Sequence, residues 1–346
     1  MRTDDCVYQV VSHRRRFPAE AQKNMNPPSL GIDIAQATFR AALWFDQHRF
    51  VQAEFANHPG GFRQLGTWLK RHGVGPLAAG LESTNTYAEA LAGWLHAQGH
   101  RVYLLKPERT ACYARCRGQR NKTDAADAVT IAAFVAQHAG SPWQPPSAEQ
   151  KTLRSLTRAR HQLVECSKQL RNQLKTADPV ARPHLQAVLG SVTRQLGALA
   201  RSIAEHLRAQ PALAAQVRRL MTIKGIGLVT AAIAIAELPP ITPESDPRAI
   251  CAWAGLTPRR RQSGKTELPA RLSRKGNGYL RQALFRPALV AKKHNPLLRA
   301  FALRLAAAGK RPGAIVGAIA HKLLRIAVGL LRSNTDFNPH WVFQKN

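Results

Sequence analysis

Acidic residues are what this chain has least of. Its 346 residues carry 20 Asp and Glu against 51 Lys and Arg, a formal net charge of +31. Such a field costs stability by self-repulsion and is best relieved by a polyanion, so nucleic acid is the leading partner. Long hydrophobic runs are missing too: the longest nearly uncharged apolar stretch, residues 225–236, is too short to span a bilayer. No isolated amphipathic helix stands apart to lie on an anionic surface, and "HRRRF" follows too few apolar residues for a signal peptide. A membrane partner is therefore not expected. Cysteine is sparse, five in all, and Cys112 and Cys116 form a lone i, i+4 pair with no second pair to complete a zinc site. That usage implies a reducing interior, the cytoplasm of a cell without a nucleus, where a DNA partner means association with the nucleoid. No Walker motif is present, so no nucleotide cofactor is expected.

What is there supports a folded chain. Hydrophobic residues make up 45% of it, enough to exclude wholesale disorder, and the length suits two or three domains. Residues 1–28 read as a polar, basic extension ending in "NPP", with Met25 as a plausible alternative start. From Ser29 three strand-like runs follow: "LGIDI", "TFRAALWF" and "RFVQAEFA". A helix, the strand "LAAGLES", a helix ending at Gly99, the strand "RVYLLK" and further helical sequence complete residues 29–140. The last helix, "TDAADAVTIAAFVAQH", has Thr123 as its N-cap. Three strands, helix, strand, helix, strand, helix is the order of a ribonuclease H-like (RuvC-like) α/β domain.

The Pro-rich break 141–147 is followed by a helical connector, 148–212. Leu156, Leu163 and Leu170 stand one heptad apart there, which suits a coiled-coil hairpin and equally two ordinary bundle helices; either leaves self-association open. Residues 213–338 read as a mainly α domain interrupted by a loop, 255–277, rich in Gly, Arg, Lys and Ser, and 339–346 as a tail.

The few acids are informatively placed. Asp33 interrupts an apolar strand, where an unpaired charge is costly, and Glu82 ends the fourth strand. Asp124 and Asp127, at i and i+3, share one face of the last helix. In the inferred fold the first and fourth strands are neighbours and that helix packs across their ends, so the four carboxylates converge. Clustered carboxylates repel unless a divalent cation neutralises them, and oxygen-only ligation suits Mg²⁺ or Mn²⁺. Arg115, Arg117, Arg120 and Lys122, next to the Asp pair, supply charge for the phosphates such a metal acts on.

Taken in order, "GIDIA", "LESTNTYAEALAGWL", "KPERTACYARCRGQRNKTDAADAVTIAAF", "IKGIGLVTAAIAIAELP", "WAGLTPRRRQSGK" and "RLSRKGNGYLRQAL" resemble the DEDD-type transposases of bacterial insertion sequences, a family that includes pilin-gene invertases and bridge-RNA-guided recombinases. The resemblance runs from about Leu30 to Asn338. It implies a RuvC-like domain, a coiled-coil connector and a C-terminal transposase domain, with Asp33, Glu82, Asp124 and Asp127 as the metal-binding acids. Two positions depart from the family pattern: Gln36 stands where Lys is usual and Arg40 where Asp is frequent.

In the C-terminal half, "KGIGLVTAA" reads as a helix–hairpin–helix-like turn, in which Lys224, Gly225 and Gly227 would face a phosphate; a tight turn between two core helices fits as well. In "TPRRRQSGK", Ser263 stands among Arg259, Arg260, Arg261 and Lys265. By itself, a serine before Gly in a basic loop is most often an ordinary turn residue. The resemblance implies more: Ser263 as the nucleophile that makes a covalent 5′-phosphoserine link and frees a 3′-hydroxyl, with Ser273 the alternative. No residue stands out as its general base. Arg274, Lys275 and Arg281 extend the basic surface, with Lys292 and Lys293 beyond them, whereas His321 and Lys322 sit in an apolar helix where core packing is the safer reading. The resulting expectation is a recombinase that cuts and rejoins double-stranded DNA at the ends of a mobile element and at its target, acting as a homo-oligomer, with its two sites brought together between subunits. The resemblance adds a structured guide RNA as a further partner. The alternatives are a metal-only junction-resolving nuclease and a non-catalytic nucleic-acid-binding protein.

Overall fold

A computed structural model describes residues 27–338 except 47–48, 84–86, 119–123, 139 and 264–265; the side chains of 124–125, 260–261, 263 and 266–270 are also outside the description. The extension at the N-terminus, apart from residues 27–28, and the tail 339–346 fall outside it as well. The chain divides between Pro145 and Pro146 into two compact units.

The first unit is built on a five-stranded mixed sheet in the order β3-β2-β1-β4-β5. Strands β1 (Ser29–Ile34), β2 (Thr38–Trp44) and β3 (Phe50–Ala56) form an antiparallel meander. Helix α1 (Pro59–Arg71) carries the chain to β4 (Ala78–Glu82), which pairs parallel to β1, and α2 (Tyr87–Ala97) carries it to β5 (Arg101–Leu105), parallel to β4. Helices α3 (Pro107–Cys116) and α4 (Asp124–His138) follow. The period-2 alternation of strands sorts their side chains between two faces. Leu30, Ile32, Phe39, Ala41, Leu43, Ala79, Leu81 and Val102 face one way and pack with Phe62, Leu65 and Trp68 of α1 and Leu91 and Leu95 of α2. Tyr103 and Leu105 face the other way and meet Ile131, Phe134 and Val135 of α4. The sheet is thus covered on both sides, and α4 owns the side that matters for the site.

The second unit is mainly helical. It runs α5 (Ala148–Gln173), α6 (Arg182–Ala209), α7 (Pro211–Met221), α8 (Leu228–Glu237) and α9 (Pro247–Trp253), then strands β6 (Pro258–Ser263) and β7 (Thr266–Leu272), then α10 (Gly278–Ala283), α11 (Phe285–His294), α12 (Pro296–Ala307) and α13 (Pro312–Ser333). Helices α5 and α6 pack along each other, and the first turns of α5 also dock on α8. There Leu153 is buried, Gln150 Nε2 donates to Ile235 O and Leu238 O at 2.8 Å each, and Arg154 Nε donates to Ala236 O at 2.9 Å. Helix α13 is the one described helix long and apolar enough to cross a membrane, yet just over half of that stretch, 56%, is buried within the protein, and Ile319, Leu323, Leu324 and Val328 form the centre of the core. It is longer than any apolar run apparent in the sequence because His321, Lys322 and Arg325 interrupt the pattern.

The segment expected as a loop, 255–277, contains an antiparallel hairpin instead, with Pro258 opposite Leu272 and Ser263 opposite Thr266. Ladder pairing is made by the backbone, so a run of arginines does not oppose it although it reads as loop. The base of the hairpin is anchored where Leu272 lies over Gly317 of α13, within 3.1 Å of where a Cβ would stand.

Candidate active site and nucleic-acid interface

Two glycines bring α4 onto the sheet. A Cβ on Gly31 of β1 would collide with Ala128 O and Ala132 N, and one on Gly80 of β4 with Val135 Cγ2. Ser29 confirms the row on β1, its hydroxyl donating to Ala132 O at 2.9 Å. Strand β1 therefore reads Ser29, Gly31, Asp33 against Ala132 and Ala128, while β4 reads Gly80, Glu82 against Val135 and Ile131. Two strand residues advance about 6.6 Å and one helical turn about 5.4 Å, so the rows stay nearly in step. One further step sets Asp33 about level with position 124 and Glu82 about level with Asp127. The two strands are adjacent and parallel, so both acids stand at the same sheet edge. Asp33, Glu82 and Asp127 are all half-buried.

The surroundings of each acid differ. Glu82 accepts a hydrogen bond from the hydroxyl of Thr110, a buried residue of α3 that also lies 2.9 Å from Pro107 O. Asp33 lies opposite Arg40 of β2. The charge of Arg40 is met by Glu54 of β3 at 2.7 Å, and that guanidinium holds the Glu54 carboxyl below its usual range. The positive charge of Arg40 is thus largely compensated on its own sheet. Asp124 opens α4, but its side chain is outside the described residues. Among the described residues no three acidic, His or Cys side chains form a compact group able to hold a metal. The donor set is oxygen-only, from three elements at one edge, and fits a hard divalent cation in kind.

Ser263 ends β6 beside the connection to β7, and its side chain is outside the described residues. Its alternative, Ser273, donates its backbone N–H to Thr257 O at 3.0 Å. The next residue, Arg274, has φ +55°, a left-handed conformation rarely adopted by a non-Gly residue.

A model of the DEDD transposases of the IS110 type matches residues 30–177, and a second, of the transposase IS116/IS110/IS902 family, matches residues 217–303. Pilin gene-inverting proteins of Moraxella bovis and Moraxella lacunata are each 28% identical to this chain over 319 residues, 91% of this chain and 98% of theirs. The chain belongs to the IS110-type transposases. A probable family 20 transposase of Pseudomonas aeruginosa is 26% identical over 356 residues, covering 91% of this chain and 100% of that protein. This transposase is an enzyme of DNA recombination. Asp33, Glu82, Asp124 and Asp127 fall in the first matched region and Ser263 in the second.

The basic residues singled out in the transposase fall into different situations. Arg115 and Arg117 are exposed at the end of α3, Arg117 over the Tyr113 ring at 5.8 Å, while Arg120 and Lys122 lie outside the described residues. Arg259, Arg274 and Lys275 are exposed; the side chains of Arg260 and Arg261, and all of Lys265, are outside the description. Arg281 donates from Nη1 to Ala254 O at 3.1 Å, which ties its guanidinium into the protein. Lys224 is exposed before α8. Gly225 has φ +108° and lies against α11, where a Cβ would come within 3.0 Å of Pro287 O, so packing alone accounts for that glycine. Gly227, by contrast, has open space around it and caps α8 without a side chain, leaving the first N–H groups of that helix uncapped.

Sequence reasoning missed three groups. Thr110 lies within residues 106–134, which carry the resemblance, but nothing in its spacing marks it as a partner of Glu82. The glycines two residues before Asp33 and Glu82 carried a signal that could have found them, a repeated G-x-D and G-x-E. The third is a buried network: Glu237, 2% exposed, receives Arg158 Nε and Nη2 at 2.7 and 2.9 Å and Asn277 Nδ2 at 2.7 Å.

Proposed function

We propose that this transposase cuts and rejoins double-stranded DNA with the acids of its first unit and Ser263 of its second. The observation that carries the proposal is the pair of strand ends, Gly31-x-Asp33 and Gly80-x-Glu82, facing one small-residue helix that carries Asp124 and Asp127 at its start. The strand order and the parallel pairing of β1, β4 and β5 support a ribonuclease H-like reading of this unit. Asp33, Glu82, Asp124 and Asp127 would hold Mg²⁺ or Mn²⁺, which neutralises charge on a phosphodiester when bound. The chain's own residues do the rest. Thr110 keeps one Glu82 oxygen oriented, and the exposed cations Arg115 and Arg117 bind the backbone phosphates.

Ser263 Oγ attacks the phosphorus, forming a P–O bond as the P–O3′ bond breaks; O3′ leaves with the electron pair and takes up the proton lost by the hydroxyl. The phosphoserine link conserves the energy of the phosphodiester, so a 3′-hydroxyl can reverse the step on another strand without ATP. Excess positive charge accommodates both DNA and a structured guide RNA, a homo-oligomer holds paired DNA ends together, and the bacterial nucleoid is where the protein works. Denaturing electrophoresis of the protein after incubation with labelled element-end DNA tests the serine step. A denaturant-resistant adduct that Ser263→Ala abolishes is expected; cleavage without any adduct would leave a metal-only nuclease. That second reading draws on the hairpin itself, since Ser263 is paired with Thr266 in the ladder, a structural role that needs no nucleophile.

A further inference from the structure

The second unit contains an open cleft of about 570 Å³ between α5, α8 and the α10–α11 segment, away from the β6–β7 hairpin in sequence and lined by none of the residues given a catalytic or nucleic-acid-binding role above. Its size is within the roughly 300–1,000 Å³ range of ligand clefts. Its walls divide by chemistry. Val164, Val229, Ile233 and Ala283 make an apolar surface, and Phe285 stands at the edge with 54% of its area exposed. An aromatic ring that open, next to an apolar wall, offers a flat face on which a planar group can stack. Tyr279, also in the lining, is already covered, with Arg158 over its ring at 4.7 Å and His161 edge-on at 5.1 Å.

The charged lining sorts equally cleanly. Both carboxylates are engaged: Glu237 by Arg158, and Glu165 by Lys168 at 2.6 Å and by Gln282 at 3.0 Å. Arg160 and Arg286 remain, with no carboxylate paired to either among the described residues, and Arg160 Nε is shut off from solvent with no hydrogen-bond acceptor. An apolar, aromatic-edged cavity with two unspent guanidinium groups suits a flat, mostly apolar body joined to an anion.

We infer that this cleft receives a single unstacked nucleotide, its base against Phe285 and the Val164–Val229–Ile233 wall and its phosphate with Arg160 and Arg286. The inference rests on the nucleic-acid-processing reading above and adds to it a place where one base leaves its helix. The same chemistry is offered by a DNA strand and by an RNA loop. Stacking on an aromatic side chain is sequence-tolerant, because every base has a π face, so the cleft selects for an unpaired nucleotide and not for a particular one.

The test uses the full chain and fluorescence anisotropy with three probes of equal length: single-stranded oligothymidylate, oligouridylate, and an abasic deoxyribose-phosphate oligomer. Phe285→Ala is expected to weaken at least one base-bearing probe roughly tenfold while the abasic probe binds wild type and variant alike. Loss confined to oligothymidylate marks a DNA strand as the occupant, and loss confined to oligouridylate an RNA. Arg160→Gln is expected to weaken all three and to lower the salt slope by about one. Phe285→Leu, which keeps apolar bulk, separates a lost ring from a damaged fold and is expected to show the same base-dependent loss. Equal binding of base-bearing probes by wild type and Phe285→Ala, or an equal loss on the abasic probe, overturns the inference. Failure of the parent reading has a different signature: no divalent-dependent DNA cleavage, with these binding ratios still measurable.

Discussion

At the scale of single residues, the network around Glu237 and the hydroxyl of Thr110 make the sharpest claims. Removing Glu237 leaves Arg158 and Asn277 without their shared acceptor, so Glu237→Ala should destabilise the second unit by about 3 kcal/mol, read from the urea midpoint. Thr110→Val keeps the shape of α3 and removes only the donor to Glu82; the expected result is a fall in DNA cleavage of about 10–100-fold with unchanged DNA affinity. His100 gives a pH dependence whose sign can be worked out. Its Nδ1 accepts from Leu77 N–H at 3.2 Å, which requires the lone pair, and burial lowers its pKa from 6.5. Below about pH 6.5 the unfolded chain therefore binds a proton that the folded chain resists, and stability of the first unit falls with acidification. His100→Gln should flatten that part of the profile between about pH 7 and pH 5.

At the scale of elements, the sheet was legible because β1 to β5 carry the period-2 pattern or short buried runs bounded by turns, and because Asp33 and Glu82 stand out against apolar neighbours. The approach of α4 was half legible. Gly31 and Gly80 are visible in the sequence, but that both clear space for the same helix depends on Ala128, Ala132 and Val135, distant in the chain. Gly31→Val should therefore cost about 3 kcal/mol or more in thermal or urea unfolding of the first unit, whereas Gly93→Val, at a half-buried helix position with open space around it, should cost nothing, because glycine is the poorer helix former. The β6–β7 hairpin was hidden by its arginines: charge patterning speaks for solvent, and backbone pairing does not care. The Arg158–Glu237–Asn277 network was hidden for another reason, since partners 79 and 40 residues apart leave no local periodicity.

At the scale of the whole molecule, the dominant fact is a net charge of +31 with few acids to offset it. Counterion release then makes DNA binding fall steeply with salt, with a log–log slope near −0.9 for each phosphate neutralised. That charge was fully legible in the sequence. The central claim is that those scarce acids are gathered at one edge of the sheet to cleave DNA. It is tested most directly by measuring Mg²⁺-dependent cleavage and binding of element-end DNA by the wild type, Asp33→Asn and Asp127→Asn side by side. The account expects each substitution to lower cleavage roughly 100-fold or more while binding is unchanged or tighter. Cleavage at the wild-type rate by both variants would contradict it.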